Sequence, residues 1–76
     1  MRQINHEEEV RKIYPVKSDI DCGFYFDKIA KENLWHIDVI DYEKGKKVCI
    51  GKGLYKKDAW QSAYNNLLNQ GKIKEL

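Results

Sequence analysis

The chain has one proline, two cysteines and one methionine in 76 residues. No stretch reaches the ~20 consecutive apolar residues of a membrane-spanning helix, and the start lacks the apolar core of an export signal. These absences point to a soluble, unexported, cytoplasmic protein. Cys22 and Cys49 are too few and too far apart for the disulfide framework of small secreted domains, and they read as reduced thiols with room for at most one bridge. Strong net charge is missing too. Fourteen basic residues against 12 acidic ones give +2, too little to mark a nucleic-acid binder by itself. No repeat, low-complexity tract or linker interrupts the chain, so residues 1–76 read as one domain. A domain of this size buries only about 60–65% of the surface its unfolded chain exposes. The two tryptophans, five tyrosines and two phenylalanines are expected to compensate for that thin core.

What the chain does have is concentrated in its second half. Residues 1–40 hold 6 basic and 8 acidic groups and residues 41–76 hold 8 and 4, so the halves carry −2 and +4. From Lys56 to Asn69 the apolar residues Ala59, Trp60, Ala63, Tyr64, Leu67 and Leu68 recur at helical spacing. The spacing predicts a helix of about 21 Å, ended by Gly71. Its first turn carries Lys56 and Lys57, where the positive end of the helix dipole makes each cation unfavourable by roughly 0.3–1 kcal/mol. Asp58 offsets only part of this. Two lysines, unpaired backbone N–H groups and a preceding Gly51-Lys52-Gly53 turn describe an anion site, most plausibly for a phosphate. Adjacent lysines on a solvated helix face also serve solubility alone.

Earlier in the chain, Asn5 can cap a helix of about two turns, with Glu7, Glu8 and Glu9 in its first turn and Glu8 placed for a capping box. Val10, Ile13 and Tyr14 form its apolar stripe, Pro15 stops it, and residues 16–21 read as a polar connector. From Cys22 the period changes to two. Phe24 and Phe26 alternate with Tyr25 and Asp27 in a strand to about Ile29, followed by a turn through Lys31, Glu32 and Asn33. Trp35, Ile37 and Val39 share one face of a second strand, with His36 and Asp38 on the other. Lys44-Gly45 then turns the chain into a third strand, whose inward face holds Val48 and Ile50. The order is α-β-β-β-α: an α+β fold with a three-stranded antiparallel sheet, helices on one face and water on the other.

Catalytic and metal chemistry find little purchase in this pattern. Gly51-Lys52-Gly53 lacks the third glycine of a dinucleotide turn and the Gly-Lys-Ser/Thr ending of a P-loop, so it reads as a strand-to-helix turn. His6, Cys22, His36 and Cys49 include no closely spaced ligand pair of the kind zinc sites use. His36 and Asp38 share a strand face with no nucleophile placed beside them by sequence, and Asp19 and Asp21 lie in the connector. A binding module rather than an enzyme is expected, with no cofactor or metal. Trp60 has two readings. It completes the core against Trp35 and Leu67, or, if exposed, it anchors a protein contact.

The chain resembles the double-stranded-RNA-binding domain, most strongly over residues 48–68 and in element order over 22–70; the α-β-β-β-α fold of that family ends in G-x-G-x-S-K-K-x-A-K-x-x-A-A-x-x-A-L. Gly51, Gly53, Lys56, Lys57, Ala59, Ala63 and Leu68 fall in register with that signature. Tyr55 stands at its capping serine and Trp60 at its third lysine. The resemblance implies duplex RNA recognised by shape, with Lys56 and Lys57 on phosphates across the major groove and Lys52 in support. Two other partners fit the same pattern. One is a protein, a second copy included, bound by an adaptor or inhibitor module acting on a nucleic-acid-handling partner. The other is duplex DNA held on the open sheet, an arrangement similar to the arm-type domains of tyrosine integrases. Asp27 and Asp38, expected on that face, oppose it.

Overall fold

In the computed structural model, which describes residues 3–74, the first helix, α1 (His6–Ile13), begins where the Asn5 side chain accepts a hydrogen bond from the Glu8 amide at 3.1 Å. That bond satisfies one of the first turn's orphan donors. Glu7 pairs with Arg11 at 2.9 Å and Glu9 with Lys12 at 2.8 Å along the exposed side. Val10 is fully buried, while Ile13 and Tyr14 are partly buried against the same core.

A 3₁₀ turn at Lys17–Asp19 leads into three strands, β1 (Ile20–Asp27), β2 (Glu32–Asp41) and β3 (Lys46–Gly53). They form an antiparallel sheet in the order β1-β2-β3. The second helix, α2, spans Lys56–Asn69, as its periodicity predicts, and the α-β-β-β-α order is the one expected. The strand limits differ. β1 begins at Ile20 rather than Cys22 because Ile20 joins the ladder opposite Val39 and is buried there. It ends at Asp27 rather than Ile29 because the Asp27 carboxylate turns the chain. Glu32 and Asn33, expected in the turn, already belong to β2.

Both hairpins use one device. Asp27 Oδ1 accepts from the amides of Ile29 and Ala30, each at 2.9 Å, and its carbonyl accepts from Lys31 at 2.7 Å. Asp41 Oδ1 accepts from Glu43 and Lys44 at 3.0 and 3.2 Å, and its carbonyl accepts from Gly45 at 2.8 Å. Such turns close with a residue of positive φ. Gly45 supplies it at 65° without strain, but Lys31 must adopt 59°, which disfavours a side chain with a Cβ. Lys31→Gly should therefore raise stability by about 0.5–1 kcal/mol, read as a higher urea midpoint at unchanged slope.

α2 lies along β3 and β2, and α1 packs chiefly on α2. A β-bulge lets the sheet meet α2. Ile37 pairs with Gly51 and Asp38 with Cys49, leaving Ile50 as the extra residue. The Ile50 side chain stays buried, and its carbonyl accepts a 2.6 Å hydrogen bond from the Asn66 side chain of α2. Gly51 faces the helix so closely that a Cβ there would stand 2.4 Å from the Ala63 nitrogen. The helix ends with Gly71 N–H donating to the Leu68 carbonyl at 3.1 Å and Lys72 N–H to that of Leu67 at 2.9 Å, a Schellman pattern.

The core is mostly aliphatic: Val10, Ile20, Ile37, Val39, Ile50, Leu67 and Ile73, with Ala59, Ala63, Trp60 and Tyr64. The expectation that the aromatics collectively enlarge it holds for Trp60 and Tyr64. Phe24, Phe26, Tyr25, Tyr42 and Tyr55 are exposed instead. Among the described residues no helix is long and apolar enough to cross a membrane.

Candidate nucleic-acid interface

The three lysines singled out from the sequence do not form one cluster. Lys56 and Lys57 occupy the first turn of α2, where Tyr55 is the N-cap residue and provides no side-chain hydrogen bond to the helix. Both are exposed, and none of the ion pairs among the described residues involves either. The Lys56 ammonium lies 5.7 Å from the centre of the Trp35 ring, within the range of a cation–π attraction. Next to it is a cleft of about 340 Å³ lined by Asn5, His6, Glu7, Lys56, Lys57 and Trp60. The amino ends of both helices therefore border one depression, with Glu7 as its acid. The Glu7 carboxylate is held by Arg11 at 2.9 Å.

Lys52 is elsewhere. Its register position opposite His36 puts it on the sheet face away from the helices, where its ammonium donates to Asp27 Oδ2 at 3.0 Å. Gly51-Lys52-Gly53, expected as a strand-to-helix turn with a third phosphate contact beside α2, is instead the paired end of β3. The strand pleat, which sends alternate side chains to opposite faces, separates this lysine from the other two, and a buried carboxylate holds it.

Asp27 organises that second face. Its Oδ2 takes the Lys52 bond and also lies 3.1 Å from His36 Nε2, while Oδ1 accepts the two turn amides. The Ala30 amide, the Lys52 ammonium, His36 and the Ile29 amide together hold the Asp27 carboxyl well below the usual carboxylate range, against the opposing effect of burial. Asp27 and His36 are 8% and 3% exposed. The Tyr25 ring stacks on His36 with centroids 3.9 Å apart and planes within 9°. Its hydroxyl donates to Asp38 Oδ2 at 2.6 Å. Burial, then the bond to Asp38, pushes the Tyr25 phenol well above its ordinary value. The cations of this face are matched by acids, Lys52 by Asp27 and Lys47 by Asp21 at 3.8 Å. A face neutralised in this way offers little to a DNA backbone.

Trp60 is 2% exposed and belongs to the core, with the Arg11 guanidinium 4.9 Å from its ring centre. The contact-anchor reading is thereby corrected: this tryptophan is sealed between the core and an arginine. Cys22 and Cys49 are free and lie on opposite faces of the sheet, which rules out a bridge between them. Burial pushes both thiols up, so they are weak nucleophiles. No group of three or more His, Cys, Asp or Glu side chains gathers among the described residues.

The sequence reading missed two features. One is the Asp27–His36–Lys52 cluster, whose residues come from three different strands. The other is the solvent-facing pair Phe24 and Phe26, visible in the alternation but assigned no outward role. Comparison with protein-family models, curated proteins and solved structures yields no match to this chain.

Proposed function

We propose that this domain binds nucleic acid, duplex RNA first among its forms, by docking phosphates at the amino end of α2. The supporting observation is the state of Lys56 and Lys57, two exposed ammonium groups without an acid partner among the described residues, on a helix start that lacks a side-chain cap. Donor N–H groups, the helix dipole and two cations there favour one ligand charge. The register with the double-stranded-RNA-binding signature supports the same reading. With Lys52 committed to Asp27, two phosphates are neutralised rather than the three that Lys52, Lys56 and Lys57 would reach together. Log K should then fall with log salt at a slope of about −2. Titration of an RNA duplex of about 16 base pairs or more at several salt concentrations tests this. Lys56→Ala/Lys57→Ala should remove detectable binding and leave the unfolding free energy equal to the parent's or higher by up to about 2 kcal/mol, because both lysines oppose the helix dipole. Unchanged affinity in that variant would end the proposal.

A protein partner is the second reading, and with Trp60 buried it rests on a different surface. A groove of about 540 Å³ between α1 and α2 includes Ile4, His6, Glu8, Tyr64 and Leu68 among its lining residues. Its apolar residues lie among charges of both signs, Glu8 and Glu9 with Lys12 and Lys74, which suits an amphipathic protein segment better than a phosphate.

A further inference from the structure

We infer that Phe24, Phe26 and Trp35 form a stacking surface for unpaired bases beside the phosphate site, so that the preferred ligand is a duplex carrying a single-stranded end. This deepens the nucleic-acid reading and rests on it. Phe24 and Trp35 are cross-strand partners. Their rings lie 5.3 Å apart with a 51° tilt. Phe26, two residues on, projects from the same side of the sheet. That side carries the helices, but with α2 over β3 and β2 and α1 chiefly on α2, this end of β1 has little cover. Phe24 is 53% exposed and Phe26 56%.

Charge selects the occupant. At one end of the strip the Lys56 ammonium approaches Trp35, with Lys57 next along the chain. At the other end Phe26 leads into the β1–β2 turn, which carries exposed Lys28 and Lys31. The neighbouring acids are mostly turned away or engaged. Asp27 and its cross-strand partner Glu32 belong to the opposite face, and Glu7 is bound to Arg11. Asp58 remains in the first turn of α2. Aromatic rings in a row with ammonium groups at both ends match a strand whose bases stack while its phosphates meet cations. A purely apolar protein surface would use the rings and leave the four lysines without partners.

The test compares three probes: a blunt RNA duplex, the same duplex with a four-nucleotide overhang, and the overhang strand alone. Phe24→Leu/Phe26→Leu keeps the apolar surface and removes the π-faces. Both residues are more than half exposed, so the variant should fold, and a urea melt checks this. The overhang is expected to tighten binding by about fivefold or more. The leucine variant should lose that gain while its affinity for the blunt duplex stays unchanged. If the blunt duplex binds but the overhang adds nothing, or if leucine retains the gain, the stacking surface is wrong and the phosphate site stands. If the overhang probes bind through the phenylalanines and the blunt duplex does not, the stacking surface stands and duplex recognition falls. Failure of all three probes overturns both. A dimer in sedimentation that the leucine variant abolishes would reassign the strip to a second copy of the chain and overturn the inference.

Discussion

Gly51→Ala is expected to remove about 3 kcal/mol or more of stability, from a quarter to most of what a domain of this length has. The added Cβ would stand 2.4 Å from the Ala63 nitrogen, 2.5 Å from the Ala59 carbonyl oxygen and 2.7 Å from the Ala63 Cα. All are backbone atoms of α2 and cannot rotate away. Relief requires moving the helix off the sheet, which would open the packing of Ile37, Ile50, Ala59, Ala63 and Leu67. Overpacking a core typically costs 1–3 kcal/mol and occasionally more, and a clash with backbone belongs at the upper end, about 3 kcal/mol or beyond. A domain of this length has roughly 4–11 kcal/mol of stability in all. The sign is informative, because alanine in an open strand is better than glycine by roughly 0.5–1 kcal/mol. If helix and strand were not in close contact, the substitution would stabilise. Urea unfolding followed by far-UV circular dichroism decides it. A midpoint at or above that of the parent would refute the close approach of α2 to β3.

Asp27→Ala should have the next largest effect. The substitution leaves two turn amides without their acceptor and strips the Lys52 ammonium and the buried His36 of their common partner. Breaking a buried, multiply hydrogen-bonded carboxylate site should lower the thermal midpoint by at least about 10 °C. The carboxylate also sets the acid limit of stability. Its folded-state value is depressed, and in the unfolded chain it titrates near pH 4. Above about pH 4 its contribution is complete, since the group is ionised in both states. Below that the unfolded state takes up the proton first, so stability is lost as pH falls toward the folded value. Asp27→Asn removes this titration. Plotted from pH 6 to pH 2, its unfolding free energy should fall less steeply than the parent's. Equal slopes would mean that the acid sensitivity arises elsewhere.

The parts of this structure that were legible in the sequence are those governed by local period and local chemistry. The limits of α2 follow from the spacing of Ala59, Trp60, Ala63 and Leu67 and from Gly71, and the start of α1 follows from Asn5. The second hairpin followed from Gly45. The first lies a few residues earlier than the pattern indicates because its residue of positive φ is Lys31, which carries no glycine signal, and because Asp27 reads as an ordinary surface acid until His36 and Lys52 are brought to it. Lys52 shows the same limit. Its distance along the chain from Lys56 is short, yet the pleat puts the two on different surfaces. The bulge at Ile50 has no sequence mark of its own. It depends on α2 approaching Gly51 and on Asn66 reaching the freed carbonyl, contacts that exist only once helix and sheet have packed. The outward rings of Phe24 and Phe26 were hidden by the reasonable expectation that a small domain buries its aromatics. Trp60 does so, with Arg11 over its outer side.

Docking of a polyanion where α2 begins, as proposed above, is decided by an amide and indole NMR titration with an RNA duplex at low salt. Docking there requires progressive, saturable shifts in Tyr55 through Ala59 and in the Trp35 indole, abolished by Lys56→Ala/Lys57→Ala. A spectrum unmoved by excess duplex, or shifts centred on His36, Asp38 and Cys49 across the sheet, would contradict it.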